Sequence, residues 1–248
     1  VKVDTGMGRS GIGADRAASL VAALRDAGGV ELDGIYTHFA AADEPVRSGA
    51  PDATADQVGL FREVAARCAG TERLRLHAAN SAATLTRPET HLSMVRPGIA
   101  VYGYRPSDEL GLEAVLRPAL RLTAPLMQVK DVPAGSACGY GLTHRFDRDS
   151  RVGLVPVGYA DGYARALSNR GVMRIGGREV PVRGRVSMDQ TIVDLTGVPG
   201  AAVGAEVEII SNEPGAGNSV ESIARLCGTI PYEVTCRLGD RIRRVVVD

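Results

Sequence analysis

The chain of 248 residues is poor in lysine and in large aromatic residues. Only two of its 29 basic residues are lysines, tryptophan is absent and phenylalanine occurs three times. Stacking of aromatic side chains on nucleobases is therefore an unpromising function. Basic and acidic residues are equal in number, at 29 each. The sequence thus has no excess of one charge that would favour a nucleic acid or an acidic membrane surface as partner.

Long apolar segments are missing as well. The apolar runs are far shorter than the ~20 residues that a membrane-spanning helix needs, whereas a hydrophobic content of 44% allows a sizeable core. A chain of this length holds one large domain or two of ordinary size. We therefore expect a cytoplasmic enzyme without a membrane segment.

The four cysteines give no sign of a metal site or a redox pair. They stand far apart, no two form a Cys-x-x-Cys pair, and none has a histidine at metal-ligand spacing (Cys68, Cys138, Cys227 and Cys236). His77, His91 and His144 also lack neighbouring ligands in the sequence. We expect buried, reduced thiols in a reducing compartment and no metal ion.

The first 104 residues alternate between strand and helix patterns. Apolar residues at helical spacing predict helices over 14–27 and 53–68, and a helical turn or two over 81–85. Strands are predicted over 1–3, 32–38, 74–77 and 92–95. Repeated β-α units of this length favour a parallel sheet with helical crossovers.

The second half has a different pattern. Short strand-like runs occupy 120–129, 151–157, 179–186, 190–195, 206–210 and 242–247, and only 219–226 is predicted to be helical. Turn signals separate the runs: Pro133-Ala134-Gly135, Gly176-Gly177 and Pro199-Gly200. We therefore predict an α/β domain over 1–108 and a mostly antiparallel β domain over 109–248, with the seam within 105–115.

Eight motifs together resemble the alanine racemase family. They are KVDTGMGR (2–9), THFAAAD (37–43), HAANSAA (77–83), VRPGIAVYG (95–103), CGYG (138–141), VGYADGYAR (157–165), GRVSMDQ (184–190) and PYE (231–233). Each motif alone is weak, but their order and approximate spacing span the chain. The family has an eight-stranded α/β barrel followed by a β domain, binds pyridoxal phosphate and works as a head-to-tail homodimer. The resemblance implies the later half of such a TIM-type barrel followed by the β domain.

The lysine that holds the cofactor in that family stands near the end of its first strand. Val1 opens on what reads as the interior of a strand, without an initiator Met. We therefore expect the C-terminal two-thirds of a longer enzyme, with the cofactor lysine lying earlier. Neither Lys2 nor Lys130 has a convincing setting for that role, since Lys130 falls in a predicted exposed strand.

Several candidate site residues follow predicted strands of the first half, where the active sites of barrels collect. By resemblance, Arg96 faces the pyridine nitrogen of the cofactor and keeps it unprotonated, because arginine does not readily give up its proton. An arginine paired with a carboxylate at a barrel rim is the plain alternative. The phosphate would be held by groups of Asn80, Ser81, Gly98, Ile99 and Tyr232. The alternatives there are an ordinary helix cap, an ordinary turn and a core tyrosine.

Tyr140 is the leading catalytic candidate. Racemisation requires a base on each face of the substrate α-carbon, and the resemblance assigns one face to the missing lysine and the other to Tyr140. Free tyrosine ionises only at about pH 10, so such a base needs nearby positive charge. In the family this tyrosine reaches into the partner's site, near a histidine and the pyridine-facing arginine, which match His38 and Arg96. A bare Gly-Tyr-Gly would otherwise be an aromatic residue in a β-turn.

The resemblance also implies a substrate pocket. Arg9 would bind the substrate carboxylate, oriented by Lys2, because the lysine at that position can be carbamylated in the family. The backbone N–H of Met188 would contact the same carboxylate from the partner subunit. Other matching residues line the narrow substrate entry of the family: Asp43, Tyr159, Arg165 and Tyr232. A solvated Lys2 and strand-packing tyrosines are the alternatives.

The implied activity is the interconversion of L- and D-alanine, which supplies D-alanine for peptidoglycan. Two other functions stay open. The first is a racemase of the same build that acts on serine, lysine or another amino acid. The second is a non-catalytic protein that binds pyridoxal phosphate, either a carrier or a relic.

Overall fold

The computed structural model describes residues 1–70, 73–111 and 116–247, which form two compact units. The first unit takes Val1–Val101 and Arg105–Leu116. The second takes Tyr102–Tyr104 and the chain from Arg117 onward. Part of the predicted seam, residues 112–115, lies outside the described residues.

The first unit is built on parallel strand pairs, as the β-α pattern predicted. The strands are β1 (Val3–Asp4), β2 (Ile12–Gly13), β3 (Gly34–Tyr36) and β4 (Arg75–His77). β1 pairs with β2 and β3 with β4, both in parallel. Parallel bridges join Lys2 to Tyr36 and His77 to Met94. Because neighbouring strands run in one direction, the residues that follow them lie at the same edge.

Three α-helices accompany these strands: α1 (Ala17–Asp26), α2 (Ala53–Arg67) and α3 (Ser81–Thr86). α1 is followed by Gly28 and Gly29, whose φ angles of +62° and +76° suit the end of a helix. α2 begins at Asp52, whose carboxylate accepts from the N–H groups of Thr54 and Ala55. The predicted helices are therefore present, although the first starts three residues later than its pattern indicated.

The core of this unit is assembled from small and medium apolar side chains. α2 contributes Phe61 and Val64, which are buried, and Val58 and Ala65, which are partly buried against them. This is the face that the helical spacing predicted. The remaining buried members come from the strands, α1, the loops and α3: Val3, Ala17, Val21, Ile35, Phe39, Ala42, Cys68, Ala78, Ala79, Ala82, Ala83 and Leu110.

The second unit is mostly antiparallel β structure, as predicted. Its strands are β5 (Leu122–Pro125), β6 (Gln128–Val132), β7 (Ala137–Cys138), β8 (His144–Arg145), β9 (Ser150–Val155), β10 (Val172–Ile175), β11 (Arg178–Pro181), β12 (Thr191–Asp194) and β13 (Glu206–Ile210). They form a four-stranded sheet in the order β11-β10-β13-β5, a three-stranded sheet in the order β12-β9-β6, and the pair β7-β8. Alternating burial along β10 and β12 buries one face of each sheet.

The predicted turns are confirmed. Gly176 and Gly177 join β10 to β11 with φ angles of +55° and +79°, as a two-residue hairpin loop requires. Ser136 N–H donates to the carbonyl of Pro133, which closes the turn around Gly135. Short 3-10 helices occur at Pro88–Thr90, Ile99–Tyr102, Tyr140–Leu142, Tyr159–Asp161 and Arg165–Leu167.

Three local predictions were wrong. Residues 231–236 form a helix, α5 (Pro231–Cys236), which packs against α4 (Val220–Cys227). Residues 242–247 form no strand, and Val245, Val246 and Val247 are exposed. Residues 92–95 contribute only the bridge at Met94. A β-branched run becomes a strand only where another strand offers it hydrogen bonds.

The cysteines are free, but their burial was overestimated. Cys68 is buried, Cys138 and Cys227 are partly buried, and Cys236 is exposed. Within the described ranges, no group of three or more His, Cys, Asp or Glu side chains is placed to hold a metal ion. No helix in those ranges combines the length and apolarity that a membrane crossing requires.

Candidate active site

Arg96 lies where the parallel strands of the first unit end. Its Nη2 donates to the carbonyls of Thr37 and Ala78, at 2.7 and 3.1 Å, and lies 3.2 Å from Nδ1 of His38. Its Nη1 lies 2.7 Å from Nδ1 of His77. Among the described residues, no carboxylate forms an ion pair with this guanidinium. Arg96 is thus held by neutral acceptors and keeps its charge available for a ligand.

An aromatic pair supports this arrangement. The rings of Tyr36 and His77 stack with centroids 4.8 Å apart and planes 6° apart. The guanidinium carbon of Arg96 lies 5.2 Å from the centroid of Tyr36, within cation–π range. Burial, and next the charge of Arg96, lower the pKa of His77, which favours the neutral imidazole. Burial also lowers the pKa of Arg96, although guanidinium stays protonated near neutrality.

His38 stands among three cations. Burial lowers its pKa first, followed by the charges of Arg96, Arg9 and Lys2. Arg9 is exposed, and Nζ of Lys2 donates to Oγ of Ser10 at 2.6 Å. Arg96, Arg9 and Lys2, which are all predicted site residues, therefore lie near the predicted site residue His38 in this unit. The local charge is positive and suits an anionic ligand.

Ser81 and the 98–100 segment form a second hydrogen-bonded group. Oγ of the buried Ser81 accepts from the N–H of Gly98 at 2.8 Å and from that of Ala100 at 3.3 Å. The preceding residue, Asn80, caps α3 by accepting from Ala83 N–H at 3.0 Å. The side chain of Ile99 is buried. The Arg-Pro-Gly-Ile segment is thus fixed against the start of α3.

A buried polar network lies behind His38. Nε2 of Gln57 donates to Oγ1 of Thr5 and to the carbonyl of His38, both at 3.1 Å. Oε1 of Gln57 accepts from Ala40 N–H at 2.9 Å, and the hydroxyls of Thr5 and Thr37 lie 2.6 Å apart. Gln57, Thr5 and Thr37 are all buried. This network joins the ends of β1 and β3 to α2.

In the second unit, Tyr140 occupies the tip of the β7–β8 hairpin and is 72% exposed. The flanking Gly139 and Gly141 have φ angles of +72° and +71°, so the sharp, exposed turn is confirmed. A Cβ at residue 139 would lie 2.9 Å from the backbone nitrogen of Arg185. Glycine therefore allows the hairpin tip to lie directly on the Gly-Arg-Val-Ser-Met-Asp-Gln segment.

The same segment contacts a second tyrosine motif. Tyr159 N–H donates to the carbonyl of Ser187 at 3.1 Å, and Ala160 N–H donates to that of Met188 at 3.0 Å. Met188 is 55% exposed, and Tyr159 is also exposed. A Cβ at Gly158 would lie 2.3 Å from both carbonyl oxygens. Tyr159 and Met188 are consequently neighbours on one surface of this unit.

The remaining predicted residues are dispersed. Asp43 and Arg165 are exposed, the first on a loop and the second on a short 3-10 helix. Tyr232 lies on α5 and is 36% exposed. Sequence reasoning did not identify Tyr36, His77 or Gln57 as site residues. The position of His77 at the end of β4 was the available signal, whereas nothing in the sequence distinguished Gln57 from a surface glutamine.

Two family models match the chain. The model described as "Alanine racemase, N-terminal domain" matches residues 1–106, and the one described as "Alanine racemase, C-terminal domain" matches residues 119–246. The alanine racemase of Desulfovibrio desulfuricans is 43% identical over 250 residues, covering 100% of this chain and 66% of that protein. The alanine racemase of Halothermothrix orenii is 39% identical, and the match covers 98% of this chain and 64% of that protein. The chain therefore spans just under two thirds of the length of these relatives.

Solved structures give the same result. The alanine racemase of Streptomyces lavendulae, a producer of D-cycloserine, matches with a TM-score of 0.91 and 40% identity, covering 100% of this chain and 65% of that chain. The alanine racemase of Streptomyces coelicolor matches with a TM-score of 0.89 and 39% identity, covering 98% and 64%.

Proposed function

The chain belongs to the alanine racemase family, and on that premise we propose that the protein interconverts L- and D-alanine with bound pyridoxal phosphate. The observation that carries the proposal is the setting of Arg96, a partly buried cation held by two imidazoles and two carbonyls. Such a group suits a neutral ring nitrogen that accepts a hydrogen bond without taking the proton. We assign the first 108 residues to the later half of a TIM-type barrel that binds the cofactor, and the remainder to a β domain.

The donors of the first unit fit this cofactor. Oγ of Ser81 accepts from the N–H groups of Gly98 and Ala100, which leaves its own O–H to donate to a phosphate. We propose that Asn80, Ile99 and Tyr232 complete the phosphate site. When bound, pyridoxal phosphate would supply the electron sink that allows the α-hydrogen of the amino acid to leave.

The residues of this chain would direct that chemistry. Arg96 would donate to the ring nitrogen and keep it unprotonated, which weakens electron withdrawal and favours return of the proton to the same carbon. Arg9 would bind the substrate carboxylate, and Lys2 would fix its orientation once carbamylated, because an unmodified ammonium repels a guanidinium. His38 would stand beside them as a neutral imidazole, since its pKa is lowered by burial.

We further propose that the protein is a homodimer with shared sites. The partner subunit's Tyr140 would exchange a proton on one face of the α-carbon, and the family's lysine would serve the other. The partner's Met188 would present its N–H to the substrate carboxylate. Both side chains are exposed on their own unit, and Asp43, Tyr159, Arg165 and Tyr232 would line the entry. The four free thiols suit a reducing cytoplasm.

The test is racemisation by the protein expressed from its complete coding sequence and loaded with pyridoxal phosphate. We expect the wild-type protein to convert L-alanine into a racemic mixture, as measured by chiral chromatography. We expect the kcat of the Tyr140→Phe variant to be at least about 10²-fold lower. Tyr102→Phe, at an exposed tyrosine outside the proposed site, should retain the wild-type rate.

The other functions are distinct outcomes of the same experiment. A higher kcat/KM for serine or lysine than for alanine would identify a racemase of another amino acid. Unchanged optical purity of every amino acid tried, with the cofactor bound, would indicate a non-catalytic protein.

A further inference from the structure

The hairpin that carries Tyr140 is fixed by residues that the proposed site does not include. Non-glycine residues with left-handed backbones are rare, and the described residues contain three: Leu92, Leu142 and Asn169. Leu142 follows Tyr140 by two positions, at φ +48°. Asn169, at φ +57°, lies on a different segment of the second unit. Left-handed residues of this kind collect at functional sites, where the surrounding structure enforces them.

Asn169 holds one side of the hairpin tip through its amide. Nδ2 of Asn169 donates to Oγ1 of Thr143 at 3.1 Å and lies 3.4 Å from the carbonyl oxygen of Thr143. Thr143 follows the tip and directly precedes β8. The contact therefore restrains the chain on the C-terminal side of Tyr140.

The opposite side is restrained through Gly184. Oδ1 of Asn169 accepts from Gly184 N–H at 2.6 Å, and Asn169 N–H donates to the carbonyl of Gly184 at 3.2 Å. A Cβ at Gly184 would lie 2.9 Å from the carbonyl oxygen of Cys138, and a Cβ at Gly139 would lie 3.3 Å from the Cα of Gly184. The backbone just before Tyr140 thus lies directly on the glycine that Asn169 holds.

The neighbouring serine extends this restraint towards Met188. Oγ of Ser168 accepts from Val186 N–H at 3.0 Å and donates to the carbonyl of Arg165 at 2.5 Å. Residues 168 and 169 therefore bind alternate backbone groups of the segment that leads to Met188. The Tyr140 hairpin and the segment that leads to Met188, which the proposed function assigns to the partner's site, are therefore held by the same two residues.

We propose that Asn169 is a positioning residue that holds Tyr140 in register with the segment leading to Met188. The inference rests on the proposed function, in which the hydroxyl of Tyr140 must reach one face of the substrate carbon. Asparagine suits the position because it accepts and donates at once and tolerates the left-handed backbone. A leucine or an alanine at residue 169 would keep neither property.

The central variant is Asn169→Gly, which adopts the same backbone without strain but lacks the amide. In the complete, cofactor-loaded protein we expect kcat for alanine to fall about tenfold or more, with KM changed less than about threefold. Asn169→Asp keeps the oxygen that accepts from Gly184 N–H, so its kcat should lie between those of Asn169→Gly and the wild type. Leu92→Gly removes the strain of a left-handed backbone in the first unit and should leave kcat unchanged.

Two further readouts separate positioning from general damage. Exchange of the α-hydrogen with solvent deuterium, measured from each alanine enantiomer, should slow unequally, because only one of the two opposed bases is displaced. Amide hydrogen exchange over residues 137–145 should speed up about tenfold in Asn169→Gly. Thr143→Val should reproduce part of both effects and add little to Asn169→Gly, since the two side chains share one contact.

The outcomes are distinguishable. Unchanged amide exchange over the hairpin would overturn the restraint, whatever the activity. Faster amide exchange with equal slowing of both enantiomers, or with wild-type kinetics, would overturn the positioning role. Absence of racemisation in the wild-type protein would instead refute the proposed function, and the proposal with it.

Discussion

Arg96 and His77 are joined by a 2.7 Å contact between Nη1 and Nδ1. A guanidinium only donates, so Nδ1 must be the unprotonated nitrogen of His77. Burial and the charge of Arg96 both lower the pKa of this imidazole, in agreement with that assignment. His77 therefore holds the Arg96 cation without neutralising its charge, whereas a carboxylate in this position would neutralise it.

This contact predicts loss of stability in mild acid. A histidine whose pKa is lowered on folding binds protons more tightly in the unfolded chain. Its contribution is therefore complete above about pH 6.5 and is lost as the pH falls towards the folded-state value. His77 and His38 share this direction. We expect the melting temperature to fall between about pH 7.5 and 5.5, and to fall less in His77→Asn, whose amide oxygen still accepts from Arg96. Parallel pH profiles of the two proteins would refute the prediction.

Gln57 should be costly to replace although it contacts no ligand in the proposed site. Gln57→Met keeps most of the volume but removes the partner of the buried Thr5 hydroxyl and of the partly buried His38 carbonyl and Ala40 N–H. Loss of the partner of a buried group costs about 1–3 kcal/mol, so we expect a loss of about 1–3 kcal/mol in the free energy of unfolding. Urea denaturation measures the change. Gln128→Met, at an exposed position on β6, should change stability by less than about 0.5 kcal/mol.

The sequence predicted residues that follow strands and missed residues that support them. Arg96, His38 and Ser81 were proposed from the family resemblance, and strand periodicity added that each follows a strand of the first unit. Gln57 and Asn169 were missed because a polar residue in a helix or a turn normally faces solvent. Their roles depend on backbone groups that are distant in sequence.

Two elements near the C-terminus show a different limit. Val234 and Thr235 have low helix propensity, yet α5 forms because Pro231 presets its first turn and α4 packs against it. The valines at 245–247 have high strand propensity, yet they stay exposed and outside any strand. Propensity is a weak guide wherever the partner element decides the outcome.

Asp52 combines two roles that substitutions can separate. Its carboxylate caps α2 and forms a two-pronged ion pair with Arg87, at 2.9 and 3.0 Å. Asp52→Ala should lower the free energy of unfolding by about 2 kcal/mol, whereas Asp52→Asn keeps the cap and should lose about half as much. Glu63→Gln, an exposed change on the same helix, should stay within about 0.5 kcal/mol. Equal losses in the two Asp52 variants would show that the helix cap contributes nothing.

Gly158 should be required for the arrangement of Tyr159 and Met188. Its φ angle of −154° is extended and open to any residue, so the requirement is steric. A methyl group at this position would lie 2.3 Å from the carbonyl oxygens of Ser187 and Met188. Gly158→Ala must therefore push the two segments apart. We expect KM for alanine to rise about tenfold or more in the complete, cofactor-loaded protein, because Met188 would no longer reach the substrate carboxylate.

Gly200→Ala is the matched control for this substitution. A Cβ at residue 200 meets nothing within 4 Å, and the residue lies in a turn of the same unit. We expect its KM and kcat to equal those of the wild type. If Gly158→Ala also kept wild-type kinetics while its crystal structure showed Ser187 and Met188 displaced, the position of Met188 would not determine substrate binding. The proposed contact between its N–H and the carboxylate would then be wrong, although Arg9 and Arg96 would keep their assigned roles.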